Sequence, residues 1–380
     1  MSAAKNKIDR RKFVYSIGML TVALPLGVSA FDGFSSKGSE FKFLLLGDIH
    51  FDRIDHHDME YVRTVFGEGD EVQVKNYSRI TKDNLPVLIQ RVKKVGSTLN
   101  ADFYLQLGDF VEGLCGSEEL ASRQVLDFIS FIKGYQLRRP FFVIKGNHDI
   151  TGVGASSAYK KVVQSWQSDQ QQQSLNSANA TFVHKSVRFI LFDGYTPSQS
   201  LSWLKEVLAV NTEKIIFFCI HQPVVPFSAR ANWHVFAKPD QRKEREELIN
   251  LLGEHRVIVL CGHLHKTSIL TRTTTKGKFV QVCTGSVIES LDAPIRDHLQ
   301  GIEHYGTELL GLEPKFSPST YEERKDNLEI EKPFIDYFEH ADFMGYSSIS
   351  VIDSKVEMAV YQNANEEPWK KFNLSDLLGK

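Results

Sequence analysis

From residue 41 onward, short apolar runs alternate with longer amphipathic or polar stretches. Five runs, Phe41 to Leu46, Phe103 to Leu107, Phe141 to Ile144, Ile215 to Ile220 and Val257 to Leu260, are rich in aromatic, β-branched or leucine residues and short enough for buried strands. Helical spacing separates several of them. Leu85, Leu88, Ile89, Val92 and Val95 share one face of a stretch that runs to Leu99, and Leu120 to Ile132 and Arg242 to Leu252 repeat the pattern. This order of elements predicts an α/β fold. Three segments break the rhythm. Asp52 to Ser78 reads as a long charged connection, and Ser165 to Ala180, with its run Gln170 to Gln173, as an exposed polar loop. Val287 to Asp342 carries Pro294, Pro314, Pro318 and Pro333 and separates the strand-like Phe279 to Thr284 from Tyr346 to Ile352. It reads as an insertion or lid on a single domain of residues 31–380.

The chemistry lies just past the apolar runs. They are followed in turn by Gly47-Asp48-Ile49-His50, Gly108-Asp109, Gly146-Asn147-His148-Asp149, His221 and Gly262-His263-Leu264-His265. In a sheet of parallel character, side chains beyond the carboxyl ends of the strands converge on one crevice. Extended backbone places residues two apart on the same side, so Asp48 with His50, and His263 with His265, are expected to point as pairs into one site. Glycine ahead of four of the segments fits tight turns and close backbone approach. A single such segment usually means a turn or a structural histidine; five in this order point to a metal site.

The blocks D-x-H, G-D, G-N-H-D, H and G-H-x-H, spread from Asp48 to His265, resemble the signature of the calcineurin-like metallophosphoesterase superfamily. The resemblance implies a four-layer sandwich, two packed mixed β-sheets flanked by helices, with two metal ions along the strand ends. By motif, Asp48, His50 and His265 take one metal and Asn147, His221 and His263 the other. Asp109 bridges them, because a carboxylate has two oxygens to offer two cations. Oxygen and imidazole donors without thiolate suit Mn, Fe or Zn. The implied reaction is hydrolysis of a small phosphate mono- or diester by a metal-bridging hydroxide. His148 resembles the family's general acid, and Asp149 is expected to orient it and favour its charged form. A non-catalytic metal-binding module on the same fold is the alternative. Purple acid phosphatases, within the superfamily, carry Tyr three residues after the bridging Asp and lack the first-block His. Here Glu112 and His50 stand at those positions, so a tyrosinate-bound iron is not expected. His56, His57, Arg53, Arg63 and Arg79 follow the first block and are candidates for substrate contact.

Composition narrows the partners. Lys+Arg 45 against Asp+Glu 47 gives a formal charge of -2, and no basic stripe accompanies the site, so a nucleic-acid partner is not expected. The amino terminus has a signal peptide's layout. Lys5, Lys7, Arg10, Arg11 and Lys12 precede an apolar stretch from Phe13 to Val28, and Val28-Ser29-Ala30 offers small residues for cleavage. Arg10-Arg11 followed by Lys12-Phe13-Val14 resembles a twin-arginine export signal. Residues 1–30 are therefore expected to be removed on export to a periplasmic or extracellular location, leaving no membrane span. Cys115, Cys219, Cys261 and Cys283 are scattered, and three fall in apolar runs, which reads as buried thiols.

Overall fold

A computed structural model of the chain describes residues 40–315 and 319–379. The signal-like residues 1–30 lie outside the described residues. The strands in chain order are β1 Phe41–Leu46, β2 Phe103–Gln106, β3 Phe141–Val143, β4 Ala180–His184, β5 Val187–Leu191, β6 Ile215–Cys219 and β7 Ile258–Cys261. They continue with β8 Thr267–Thr274, β9 Gly277–Cys283, β10 Arg296–Gln300, β11 Ile335–Asp342, β12 Gly345–Ile352, β13 Lys355–Gln362 and β14 Lys370–Asn373. One sheet has the order β14-β13-β12-β1-β2-β3 and the other β10-β11-β8-β9-β7-β6-β5-β4. Both are mixed: β1, β2 and β3 run parallel, as do β5, β6, β7 and β9, and the remaining pairings are antiparallel.

Strand alternation builds the layers. Phe41, Phe43 and Leu45 of β1 face inward with Phe103, Phe189 and Phe217 to form the core between the sheets, while Leu44 and Leu46 face outward. The outward side of that sheet is covered by helices Leu85–Leu99 and Glu118–Gly134. On the far side, Ile190, Ile216 and Phe218 of the eight-stranded sheet pack against helices Pro197–Ala209 and Arg242–Glu254. The result is helix, sheet, sheet, helix. The central rings are closely apposed: Phe43 and Phe103 stack at 4.9 Å, and Phe43 meets Phe217 edge-on at 5.4 Å. Cys115, Cys219, Cys261 and Cys283 are buried free thiols.

The three off-rhythm segments are more ordered than their composition suggests. Much of Asp52 to Ser78 is helical, ending in the helix Glu68–Asp83. Its apolar stripe is only Val74, Tyr77 and Ile80, too narrow to stand out among charged residues. Ser165 to Ala180 begins inside the helix Gln164–Gln171, whose Trp166, Gln167 and Gln171 are buried. β3 is a sheet edge, and glutamine side chains pair its free backbone groups. Gln167 Oε1 accepts from Val143 N at 3.1 Å, its Nε2 donates to Phe141 O at 3.2 Å, and Gln170 Oε1 accepts from Phe141 N at 2.9 Å. Val287 to Asp342 contributes β10 and β11, which extend the eight-stranded sheet through pairing of β11 with β8. Its Phe338 joins the core, as does Phe343 just after it.

Gln167→Leu keeps the volume but strands both edge groups of β3. Denaturant titration is expected to show a loss of about 1–3 kcal/mol; unchanged stability would mean that the edge is satisfied otherwise.

Candidate metal centre

The parallel strands β1, β2 and β3 of one sheet, and β6 and β7 of the other, release their chains at the same end of the sandwich. There the side chains of Asp48, His50, Asp109, His221, His263 and His265 come together. Ligand atoms of Asp48, His50 and His265 lie within 4.8 Å of one another, and so do those of Asp109, His221 and His263. His50 Nε2 is 3.0 Å from His265 Nε2, His221 Nε2 is 3.1 Å from His263 Nδ1, and His221 Nε2 is 3.0 Å from Asp109 Oδ2. Asp109 also reaches toward the first trio, its Oδ2 lying 3.9 Å from His50 Nε2. Asn147 and His148 line the cleft that opens over both trios.

The pairs converge by a route other than strand alternation. His50, Asp109, His263 and His265 have φ of 49°, 52°, 75° and 52°, left-handed values that ordinary side chains seldom adopt and that cost about 1–3 kcal/mol each. The chain therefore turns back at each ligand instead of running extended. Neighbouring glycines make room: a Cβ on Gly146 would collide with the Asp109 carboxylate, and one on Gly47 with the Thr284 carbonyl. Buried polar groups hold the turns. Gln106 Nε2 donates to Gly47 O at 2.9 Å and to Gly108 O at 2.6 Å, and its Oε1 accepts from Gly108 N. Asp109 O accepts from both Ile49 N and His50 N.

Second contacts set the histidine tautomers. His50 Nδ1 lies 2.6 Å from Glu112 Oε2 and His221 Nδ1 lies 2.7 Å from Leu107 O, so each ring donates there and turns its Nε2 into the cluster. Burial favours the neutral His221 ring, but Asp109 and Asp48 outweigh it and raise this ring to about 10, so a metal ion would displace its Nε2 proton. Burial and neighbouring imidazoles push His50 and His263 well below the ordinary imidazole range, keeping these rings in the neutral form that ligates metals. Burial works against the charged form of Asp109, yet His221 and His148 beside it hold the carboxylate well below its usual range. Nitrogen lone pairs and carboxylate oxygens aimed at two adjacent points, with no thiolate, are a donor set that fits two metal ions.

His148 and Asp149 need a correction. Asp149 makes no hydrogen bond to His148. Its buried carboxylate instead accepts from Asp109 N at 3.0 Å, Phe110 N at 2.9 Å, Val111 N at 3.2 Å and Gly146 N at 2.7 Å, so it holds the loop of Asp109 and acts on His148 only through space. His148 is oriented by Glu112: its Nδ1 donates to Glu112 O at 2.8 Å and faces Glu112 Oε2 at 3.4 Å. Burial favours the neutral ring, but Glu112 and Asp109 outweigh it and raise His148 to about 9. Gln73, from the segment read as a loop, donates to Glu112 Oε1 at 2.8 Å, and Tyr77 of the same helix stacks on His50 at 4.4 Å. Tyr195, beyond β5, donates to Asn147 Oδ1 at 3.2 Å, while Lys145 pairs with Asp193 two residues before it.

The other candidates do not reach the cleft. His57 is buried against Asp52 at 2.6 Å and His56 against Asp127 at 2.9 Å. Arg53 pairs with Asp55 and Asp127, Arg63 with Glu71, and Arg79 bonds Asn76. None of the five lines the cleft.

Comparison with known proteins agrees with this geometry. The family model described as Calcineurin-like phosphoesterase matches residues 41–267. Among solved structures, purple acid phosphatase PPD1 from yellow lupin (Lupinus luteus) seeds is 11% identical with a TM-score of 0.52, covering 90% of this chain and 54% of that one. The chain thus spans about half the length of the plant protein. GAP50, described as the anchor in the inner membrane complex of Plasmodium, is 13% identical with a TM-score of 0.50, covering 88% of each chain. At these identities the likeness is one of fold. No curated protein matches the chain.

The two trios are supported by different neighbours, so they can be weakened separately. Glu112→Gln is expected to lower metal affinity at the trio containing His50, and Tyr195→Phe, by freeing Asn147, at the trio containing His221, to which the sequence motif adds Asn147, each by about 10–100-fold. Metal titration with elemental analysis would show one weakened ion per variant; loss of both ions together, or of neither, would contradict the assignment.

Proposed function

Because the chain belongs to the calcineurin-like phosphoesterase family, we propose that it hydrolyses small phosphate mono- or diesters with two metal ions, of Mn, Fe or Zn type, and with His148 as general acid. The observation that carries this reading is the pair of ligand trios meeting at Asp109, with a hydrogen-bonded imidazole beside them. When bound, paired cations lower the pKa of a shared water and polarise phosphoryl oxygens. The protein's own side chains do the rest. Asp48, His50 and His265 hold one ion and Asn147, His221 and His263 the other, with Asp109 between them. His148 keeps Nδ1 on the Glu112 carbonyl, which leaves Nε2 to protonate the departing alkoxide. Glu112, and not a tyrosine, stands three residues after Asp109, which supports a colourless enzyme. The full ligand set and the poised His148 weigh against a non-catalytic metal-binding module.

Export by a twin-arginine-type signal belongs to the same proposal and is supported by the pattern of residues 1–30. No helix among the described residues is long and apolar enough to cross a membrane.

His148→Ala is expected to lose more activity on alkyl phosphates, whose leaving groups need a proton, than on p-nitrophenyl phosphate, by about 10²–10⁴-fold for the former. Equal losses on both would remove His148 as the acid. For export, mass spectrometry of the secreted protein should find a chain beginning after Ala30; a secreted chain that retains Met1 to Ala30 would reject cleavage.

A further inference from the structure

The cleft over the metal centre is larger than its reaction requires. It measures about 370 Å³, a size that holds a whole small molecule, and a phosphate group fills only a fraction of it. Its far wall is a chain of ion pairs. Arg230 Nε lies 3.0 Å from Glu313 Oε2, Lys266 Nζ lies 3.5 Å from both Glu313 Oε1 and Asp342 Oδ2, and Arg296 binds Asp342 Oδ2 at 3.2 Å. Glu289 also lines the cleft. Lys266 is largely buried, and it follows the ligand His265 directly in the chain. His340 of β11 is 1% exposed, and neither of its ring nitrogens has a hydrogen-bond partner. Trp233, 36% exposed and 5.3 Å from the His263 ring, contributes a flat apolar surface at the edge.

We propose that this wall is a subsite for a hydroxyl-rich leaving group, so that the substrate is the phosphate ester of a sugar or polyol. This rests on the phosphoesterase reading above. A hydroxyl donates one hydrogen bond and accepts others, so it can donate to Glu313 or Asp342 while accepting from Arg230, Lys266 or Arg296, and leaves no charge unpaired. Other leaving groups fit poorly. An alkyl chain would desolvate the whole ion-pair chain with nothing in return. A second anionic group must displace Glu313 or Asp342 from its cation, and a quaternary ammonium must displace one of the cations, each leaving a charge behind without a partner.

The test is a substrate panel on the metal-loaded wild-type protein: glucose 6-phosphate, 2-deoxyglucose 6-phosphate, glycerol 3-phosphate, dodecyl phosphate, phosphocholine and pyrophosphate, with p-nitrophenyl phosphate as reference. The sugar and glycerol esters should exceed dodecyl phosphate, phosphocholine and pyrophosphate in kcat/KM by about tenfold or more, and removal of a hydroxyl should raise KM. Glu313→Gln and Asp342→Asn should each reduce the ratio of kcat/KM for glucose 6-phosphate to that for p-nitrophenyl phosphate by about tenfold, chiefly through KM. Preference for dodecyl phosphate, phosphocholine or pyrophosphate, or a ratio unmoved in both variants, overturns the subsite. No turnover of any ester, p-nitrophenyl phosphate included, overturns the phosphoesterase reading instead. Calorimetry then decides the subsite alone: tighter binding of glucose 6-phosphate than of dodecyl phosphate supports it, and the reverse rejects it.

Discussion

The candidate centre depends on one constraint: its ligands sit on irregular backbone inside the protein, where every N–H and C=O must still find a partner. Buried polar side chains supply those partners. The Asp149 carboxylate accepts from backbone N–H groups at Gly146, Asp109, Phe110 and Val111, and so fastens the block after β3 to the block after β2. The ligands share this work. Asp48 accepts from His263 N with both oxygens, at 2.9 and 3.0 Å, which ties the two sheets together, and Asp109 Oδ1 accepts from His148 N at 2.8 Å. Binding geometry and loop geometry are therefore set by the same atoms. This also explains how four non-glycine residues persist at positive φ: the surrounding hydrogen bonds over-determine the turns and offset the strain.

Much of this was legible in the chain. An apolar run followed by a polar residue of metal-binding type, with glycine between them in four of the five cases, is a local pattern, and it marks the strands whose ends release Asp48, His50, Asp109, His221, His263 and His265 into one cluster. The supporting groups left no such trace. Gln106 lies inside the run Phe103 to Leu107 with nothing local to mark it, yet its amide joins Gly47 to Gly108. Glu112 was noticed only for what it replaces. β5 was passed over, and with it the turn that carries Tyr195 to Asn147. The helix Glu68–Asp83 buries so few apolar residues that its periodicity is faint, and the glutamine run concealed a helix whose polar side chains are buried because an edge strand needs them. In each case the signal is a long-range hydrogen bond, which no local pattern contains.

The substrate side was less legible still, for a related reason. Arg230, Lys266, Arg296, Glu313 and Asp342 are ordinary charged residues with no characteristic spacing: the sheet brings Lys266, Arg296 and Asp342 together, and Arg324, donating to Ala229 O and Glu313 O, brings Arg230 and Glu313 together. Lys266 leads into β8, Thr267 is in register with Ala341 of β11, and Arg296 of β10 is in register with Asp342. Lys266 is thus joined to His265 of the candidate centre by a single peptide bond, and to Asp342 and Arg296 through neighbouring sheet strands. The segment that in sequence reads as an insertion or lid contributes, on this side of the cleft, two strands to the eight-stranded sheet. Were this wall the leaving-group subsite proposed above, a fixed sheet would let binding of the leaving group help to place the scissile bond instead of merely retaining the substrate.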